Sequence, residues 1–197
     1  MISNSHIRLL VLAPLSCSAF LLAQSPPPQG SAAPVVLQKD EGELRVRRPR
    51  ESVPMVSSEF LIKVSPSTNG SKHLLVGAEE VSPGGVIPKH RHHGEEEILF
   101  IQAGSAHVWL GDKEYDAKAG AVVFIPSQTW ISLKNTGAEN MSLLFVFNEP
   151  SFEQMLLCAS VPKGQTGSLL SREGVAECYE HGDAELEVVK PGLDRKQ

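Results

Sequence analysis

The fold of this chain is constrained most by a series of short apolar segments between residues 56 and 147, separated by Gly, Pro and other turn residues. No helical period runs through this stretch, and short strands at such spacing are typical of an all-β sandwich or barrel. The sequence therefore predicts an all-β domain with strands over residues 58–64, 74–81, 98–103, 106–110, 121–125, 130–134 and 142–147.

Helices are predicted only after these strands. The first covers residues 151–159, with Ser151 as its candidate N-cap. The second covers residues 171–180, with Ser171 as its N-cap and Gly182 at its end.

The first 23 residues have the layout of a secretory signal peptide. A polar start precedes an apolar run of 15 residues, whereas crossing a bilayer takes about 20. We therefore expect residues 1–23 to be cleaved, the chain to be exported to the periplasm or outside the cell, and no transmembrane span. Two alternatives stay open: a lipid anchor at Cys17, whose preceding residues fit a lipobox poorly, and an uncleaved N-terminal anchor.

The chain behind the signal peptide divides into three parts. Residues 24–50 are predicted to be a linker and N-terminal extension, residues 51–150 the all-β domain, and residues 151–197 a C-terminal helical segment. The extension ends in a basic run, Arg45 to Arg50, which we interpret as a solvated segment, with contact to an acidic partner as the alternative. The chain's net charge of −5 excludes the basic surface that nucleic-acid binding requires.

The cysteines indicate one covalent link at most. Of 3 Cys, Cys17 lies in the predicted signal peptide, and Cys158 and Cys178 remain in the exported chain. In an oxidising compartment these two can form a disulfide, and two buried reduced thiols are the alternative.

Three of the 7 His lie within four positions, and one glycine separates them from three consecutive Glu. On a strand, His90 and His92 share one face while His93 points away, and a Glu beyond the turn at Gly94 can reach the same point. Two imidazoles and one carboxylate can hold one divalent metal (Fe, Mn, Ni or Zn) and leave positions open to water or substrate. The alternative is a solvated polar turn in which these side chains pair with one another.

Two motifs give the chain a resemblance to the cupin superfamily. The first, G-x5-H-x-H-x3,4-E-x6-G, is filled at every position by Gly84-x5-His90-x-His92-x4-Glu97-x6-Gly104. The second, G-x5-P-x-G-x2-H-x3-N, is matched by Gly120, Pro126 and Asn135, while Gln128 and Ile131 replace its second glycine and its histidine. The tail after residue 150 resembles, more weakly, single-domain cupins called quercetin-dioxygenase-like.

The resemblance implies a cupin double-stranded β-helix, which is a jelly-roll barrel, with C-terminal helices. It also makes His90, His92 and Glu97 the metal ligands. Glu96 fits the shorter form of the motif, but only Glu97 keeps the six-residue distance to the motif's last glycine. Ile131 cannot coordinate a metal, so the fourth ligand that many cupins share is absent from this chain.

Two interpretations of the lost ligand compete. Either the three remaining ligands hold a metal in an open, apolar coordination sphere, or the barrel holds no metal and serves as a binding or structural module. His107 is a poor substitute because its strand turns it outward. Trp130 and Ile131 are candidate substrate-pocket residues, although Trp130 fits the core or a dimer interface equally well. We expect Glu95 and Glu96 to face away from the site.

These expectations combine into a function. The chain is expected to be an exported metal-binding cupin, a dioxygenase-like enzyme on a small enolic or phenolic substrate, and a homodimer. The alternative is a non-catalytic cupin that binds or senses a small molecule. A cupin isomerase acting on sugars is disfavoured because the barrel strands carry no basic cluster for a phosphate.

Overall fold

The computed structural model describes residues 32–51 and 58–187, so the predicted signal peptide lies outside the described residues. Within them the chain forms twelve strands and three helices. The elements are β1 (Glu43–Arg47), β2 (Glu59–Val64), α1 (Pro66–Asn69), β3 (Leu75–Val81), β4 (Val86–His92), β5 (Glu97–Ala103), β6 (Ser105–Leu110), β7 (Lys113–Lys118), β8 (Val122–Ile125), β9 (Ile131–Asn135), β10 (Met141–Phe147), α2 (Glu153–Cys158), β11 (Ser160–Pro162), α3 (Arg172–His181) and β12 (Ala184–Leu186).

The strands form two antiparallel sheets. One has seven strands in the order β11-β1-β2-β3-β10-β5-β8, and the other has five in the order β12-β4-β9-β6-β7. Apolar side chains from both sheets meet in one core, which α2 and α3 extend. The predicted all-β double-stranded β-helix with C-terminal helices is confirmed.

Alternation along the strands decides which side chains point into the barrel. In β5, Glu97, Leu99 and Ile101 are buried, while Ile98 and Phe100 between them are exposed. Successive side chains of a strand point to opposite faces of the sheet. The same alternation therefore places the Glu97 carboxylate and the apolar core on one side of the sheet.

All seven predicted strands are present, each within one residue at either end. The strand β7 is not predicted by the sequence because five of its six residues are exposed and it has no apolar face. Residues 65–71, which read as a cluster of turn residues, contain the single turn of α1.

The range 24–50 contains a strand where the sequence predicts a linker and extension. β1 pairs with β2 and with β11, so it belongs to the seven-stranded sheet. Leu44 is exposed in this strand, whereas Arg45 is buried. Because apolar alternation is the usual signal of a half-buried strand, an inward-facing arginine concealed it. The range 151–197, predicted to be helical, likewise contributes β11 and β12 to the two sheets.

The two C-terminal helices differ in how they begin. α3 follows Ser171, whose side chain caps the first turn, and it ends at Gly182, as predicted. The predicted N-cap Ser151 is wrong for α2, since Phe152 precedes that helix without a capping side chain. The backbone N–H of Phe152 instead donates to the Glu95 carboxylate at 2.8 Å.

A disulfide joins Cys158, at the end of α2, to Cys178 in α3, with their Cα atoms 5.5 Å apart. The two helices are therefore held together over one side of the barrel. In the described parts of the chain, every helix is too short or too polar to cross a membrane.

Candidate metal centre

Strands β4 and β5 bring the three predicted ligands together inside the barrel. His90 and His92 are two residues apart on β4, and both imidazoles are buried. Glu97 opens β5 and is 5% exposed. One ligand atom from each of the three residues lies within 4.8 Å of the others. This arrangement can supply two nitrogens and one oxygen to a single ion.

The hydrogen bonds around the two imidazoles decide which nitrogen faces the site. His90 Nδ1 lies 2.8 Å from the Pro88 carbonyl oxygen, which can only accept, so this nitrogen carries the proton and Nε2 keeps its lone pair. His92 Nε2 lies 3.4 Å from the Glu97 carboxylate, and His92 Nδ1 lies 3.8 Å from the Glu95 carboxylate. Both imidazoles can therefore present Nε2 to an ion.

Several buried atoms of this cluster have no hydrogen-bond partner among the described residues. They are His92 Nδ1 and Nε2, Glu95 Oε2 and Glu97 Oε2. Buried polar atoms are rarely left in this state, because each one loses the free energy of hydration without compensation. A divalent cation coordinated by the imidazoles and the Glu97 carboxylate would give His92 Nε2 and Glu97 Oε2 a partner. The residues present therefore fit a metal.

Burial also sets the charges of the ligands. Desolvation lowers the pKa of His90 and of His92 to about 4, so both imidazoles are neutral at pH 7 and their lone pairs are available. Desolvation raises the pKa of Glu97 to about 7. A bound cation would remove that penalty.

Ile131 occupies the position of the missing ligand. It is 1% exposed and pairs with His90 across β4 and β9. Its hydrocarbon side chain leaves that side of the cluster open and apolar. His107 does not replace it, because its imidazole lies outside, within hydrogen-bond distance of Asp116 (2.9 Å) and Glu114 (3.1 Å).

The expectation that Glu95 faces outward is wrong. Glu95 is 1% exposed, and its carboxylate approaches His92 on one side and accepts the Phe152 N–H on the other. That N–H is free to donate because it precedes the first turn of α2. Glu96 is exposed as expected. Glu95 therefore lies behind the metal ligands, in a position to orient the His92 ring.

A cavity of about 50 Å³ adjoins the cluster. His90, Glu97 and Ile131 line it together with apolar residues of the core and of α2. Tyr179 of α3 also lines it, and burial raises the pKa of this phenol, so it stays protonated. Taking roughly 10–15 Å³ for each molecule, this volume holds about four waters. The site thus accepts only a small ligand.

Trp130 is not among the residues that line this cavity. Its ring lies beside the cationic groups of Lys89 and Arg91, at 5.3 and 4.8 Å from the ring centroid. These two residues alternate with His90 and His92 along β4, so they face away from the barrel interior. The structure brings Ile131 to the cavity and leaves Trp130 on the outer face.

The basic run is not the solvated segment that the sequence predicts. Arg47 and Arg50 line the cavity, and the Arg47 side chain is 8% exposed. Arg47 donates from Nη2 to the buried Glu79 carboxylate at 2.5 Å. Sequence reasoning missed these residues because no motif marks them. The only available signal was the concentration of arginines just before the domain.

Comparisons with known proteins agree with this architecture. Residues 77–147 match the family described as Cupin domain. The chain is 33% identical over 76 residues to an oxalate-binding protein of Thermotoga maritima, which covers 39% of this chain and 63% of that protein. It is 30% identical over 82 residues to Protein SchB of Streptomyces halstedii, covering 42% of this chain and 59% of that protein. The chain thus spans less than two thirds of these curated relatives.

A solved structure shares the fold. The crystal structure of a predicted oxalate decarboxylase from Thermotoga maritima superposes with a TM-score of 0.51 and 26% identity. The match covers 58% of this chain and 99% of that one. The shared part is therefore almost the whole of the Thermotoga maritima protein.

Proposed function

We propose that this chain, whose residues 77–147 match the Cupin domain family, is a cupin, and that His90, His92 and Glu97 hold one divalent metal ion inside its barrel. The observation that carries this proposal is the group of buried ligand atoms without hydrogen-bond partners in the described residues. When bound, such an ion supplies a Lewis acid with open coordination positions.

The finer proposal is a dioxygenase-like reaction on a small enolic or phenolic substrate. Two imidazoles and one carboxylate with open positions are a ligand set that O2-dependent enzymes use. Ile131 and the aromatic residues around the cluster keep its open side apolar. The cavity volume of about 50 Å³ favours a compact enol of a few carbon atoms over a polycyclic flavonoid.

A second candidate function is non-catalytic binding or sensing of a small molecule. It is favoured by Ile131, since a cupin without its fourth ligand binds metal less tightly. Both candidates require the same small cavity, so they differ in turnover rather than in ligand size.

The metal proposal is tested by metal content. The purified protein is exposed separately to Fe(II), Mn(II), Ni(II) and Zn(II), desalted and measured by inductively coupled plasma mass spectrometry. We expect close to one equivalent of one or more of these metals, and a loss of that metal in His90→Ala and Glu97→Ala. His93→Ala and Glu96→Ala are matched controls, because they alter neighbouring residues outside the cluster, and both are expected to retain it. Equal metal content in all five proteins would contradict the proposal.

Turnover separates the two candidate functions. Oxygen uptake by the metal-loaded protein is measured with a panel of small β-diketones, enols and phenols. Uptake that depends on both substrate and Glu97 supports the dioxygenase-like reaction. Binding of a panel member without oxygen uptake supports the binding module.

We also propose that the chain is exported. The Cys158–Cys178 disulfide supports this, because disulfides form and persist mainly in oxidising compartments. Cell fractionation with mass spectrometry of the mature N-terminus is the test. Cleavage after residue 23 with a free N-terminus is the expected result, and a lipid-modified Cys17 is the competing one.

The proposed homodimer would use the outer face of β5 and β8. This face exposes Ile98, Phe100, Val122 and Phe124, and β8 lies at the end of the seven-stranded sheet. An exposed apolar edge of this kind is suited to a second copy of the same chain. Light scattering after size exclusion should give twice the monomer mass, and Phe124→Asp should reduce it to the monomer.

A further inference from the structure

Three buried guanidinium nitrogens lie without hydrogen-bond partners in the described part of the chain. They are Nε of Arg47 and Nε and Nη2 of Arg50. Both residues line the cavity that His90 and Glu97 line. A buried N–H donor without an acceptor loses its hydration without compensation, so three such donors on two residues that line one cavity indicate an acceptor that binds there.

The two arginines are held in place by backbone pairing. The Arg47 N–H donates to the Ser58 carbonyl at 2.8 Å, and the Arg47 guanidinium lies 4.6 Å from the centroid of the Phe60 ring. Arg50 forms a β-bridge with Leu170. Their positions therefore depend on strands β1 and β2 and on the segment before α3, rather than on flexible side chains alone.

The charges at this end of the cavity do not balance. Glu79 neutralises Arg47, with its carboxylate 2.5 Å from Nη2. No carboxylate lies within 4 Å of the Arg50 guanidinium among the residues described. Burial, reinforced by Arg47, lowers the pKa of Arg50 from its usual value. An anion beside Arg50 would compensate this buried positive charge, which the Glu79 carboxylate, paired directly with Arg47, balances only in part.

We propose that this cavity binds a small carboxylate, whose two oxygens accept hydrogen bonds from Arg50 and Arg47 while the remainder of the molecule reaches toward the His90 and Glu97 end. A planar carboxylate matches the fork of a guanidinium group. The rest of the cavity is lined by hydrocarbon and aromatic residues such as Leu99 and Phe147. Phosphate carries oxygens on all sides and would bury at least one of them against that apolar lining.

This inference deepens the proposed function, since it names the class of substrate or ligand, and it rests on the metal site for the position of the molecule's far end. The volume of about 50 Å³ limits the ligand to a few heavy atoms. Together the two ends describe a site for a compact carboxylic acid that also offers a second oxygen, such as an enol or keto group, to the metal.

The test uses acetate, acetamide and inorganic phosphate as probes of the full-length mature protein, in metal-free and metal-loaded form, by isothermal titration calorimetry. Acetamide has the shape of acetate without its charge. We expect acetate to bind at least about tenfold more tightly than acetamide and than phosphate. Because this comparison uses the wild-type chain, it does not depend on any variant folding.

Variants then locate the contact. Arg50→Gln is expected to weaken acetate binding by at least about tenfold, while Arg50→Lys restores part of it. Arg48→Gln is the matched control, since Arg48 belongs to the same basic run but does not line the cavity, and it should change the affinity less than twofold. Metal content is measured on the same samples. Equal affinity for acetate and acetamide, tighter binding of phosphate, or unchanged binding in Arg50→Gln would overturn the carboxylate site. Acetate binding of the expected strength in a wild-type protein that takes up no metal would overturn only the proposed function.

Discussion

His90 and Ile131 lie directly opposite each other in the antiparallel ladder between β4 and β9. A side chain at residue 131 therefore projects toward the same point as the His90 imidazole, where its 1% exposure keeps it from solvent. Ile131→His adds a third imidazole to the cluster, so we expect the apparent metal dissociation constant to fall by at least about tenfold. Competition with a chromophoric chelator measures this change.

The matched control for that variant is Ile131→Val, which changes the volume without adding a ligand. It should leave metal affinity unchanged and cost about 1 kcal/mol of stability. If Ile131→His binds metal no more tightly than Ile131→Val, residue 131 does not face the ion.

Glu95 should support metal binding without contacting the metal. Its carboxylate lies 3.8 Å from His92 Nδ1 and is buried behind that ring. Carboxylates in this position hold a ligating imidazole in its orientation, and their removal costs about 10- to 100-fold in metal affinity. We expect Glu95→Gln to weaken metal binding by that factor. The amide keeps an oxygen to accept the Phe152 N–H, so the fold is retained.

Glu96→Gln provides the comparison for Glu95→Gln, because Glu96 is exposed and only one residue away. Metal titrations of the two variants under identical conditions should differ by at least about tenfold. Identical affinities would mean that Glu95 acts only by anchoring α2.

Relative to the Glu97→Gln variant, the metal-free wild-type protein should lose stability as the pH rises toward 7. Burial raises the pKa of Glu97 from 4.5 to about 7, so between these values the folded chain binds a proton that the unfolded chain releases. The stabilisation is full below pH 4.5 and is lost as the pH rises through about 7. Glu97→Gln lacks this dependence, so its stability relative to wild type should increase over that range by up to about 3 kcal/mol.

Denaturant unfolding in chelator at pH 4.5, 6 and 8 measures this difference. The lowered pKa of His90 and His92 acts in the opposite direction, but it is common to both proteins and largely cancels in the comparison. With saturating metal the sign should reverse, because the variant loses a ligand. A stability difference independent of both pH and metal would contradict the buried, uncompensated carboxylate.

The ligand cluster was predictable because its geometry is local. The pairing of His90 with His92 needs only the two-residue period of a strand, and Glu97 needs one turn and the start of the next strand. The motif spacing then separated Glu97 from Glu96, and the burial of the two residues agrees with that choice. No long-range contact had to be known.

The other end of the cavity was not predictable for the opposite reason. Arg47 reaches the interior because β1 pairs with β11, more than 100 residues away in sequence. In the sequence alone, inward-facing arginines look the same as those of a solvated segment. Glu95 points inward because it accepts the N–H of Phe152, a contact 57 residues away that its own neighbours do not indicate. Predictions failed where residue orientation depends on distant pairing rather than on strand period.

The disulfide should stabilise α2 and α3, the two helices whose residues line one side of the cavity. It joins α2 to α3 across a separation of 20 residues, which corresponds to about 3 kcal/mol of loop entropy in the unfolded chain. We expect the double variant Cys158→Ser, Cys178→Ser to unfold at correspondingly lower denaturant concentration. Hydrogen exchange should accelerate in α2 and α3 and remain slow in β5 and β10. Uniform acceleration throughout the barrel, or no loss of stability, would contradict a stabilising effect confined to α2 and α3.

Gln128 occupies a backbone conformation that favours glycine, and its replacement tests the turn beside His92. Its φ is 64°, at the position where the cupin motif has glycine. The left-handed conformation costs about 1–2 kcal/mol for a residue with a Cβ, but the Gln128 side chain donates to the His93 carbonyl at 2.8 Å. Gln128→Ala keeps the strain and loses that bond, so it should be about 1 kcal/mol less stable than wild type. Gln128→Gly should be at least as stable as wild type, because it removes the strain. Thermal unfolding of the three proteins measures this order, and an alanine variant as stable as wild type would show that the hydrogen bond contributes nothing.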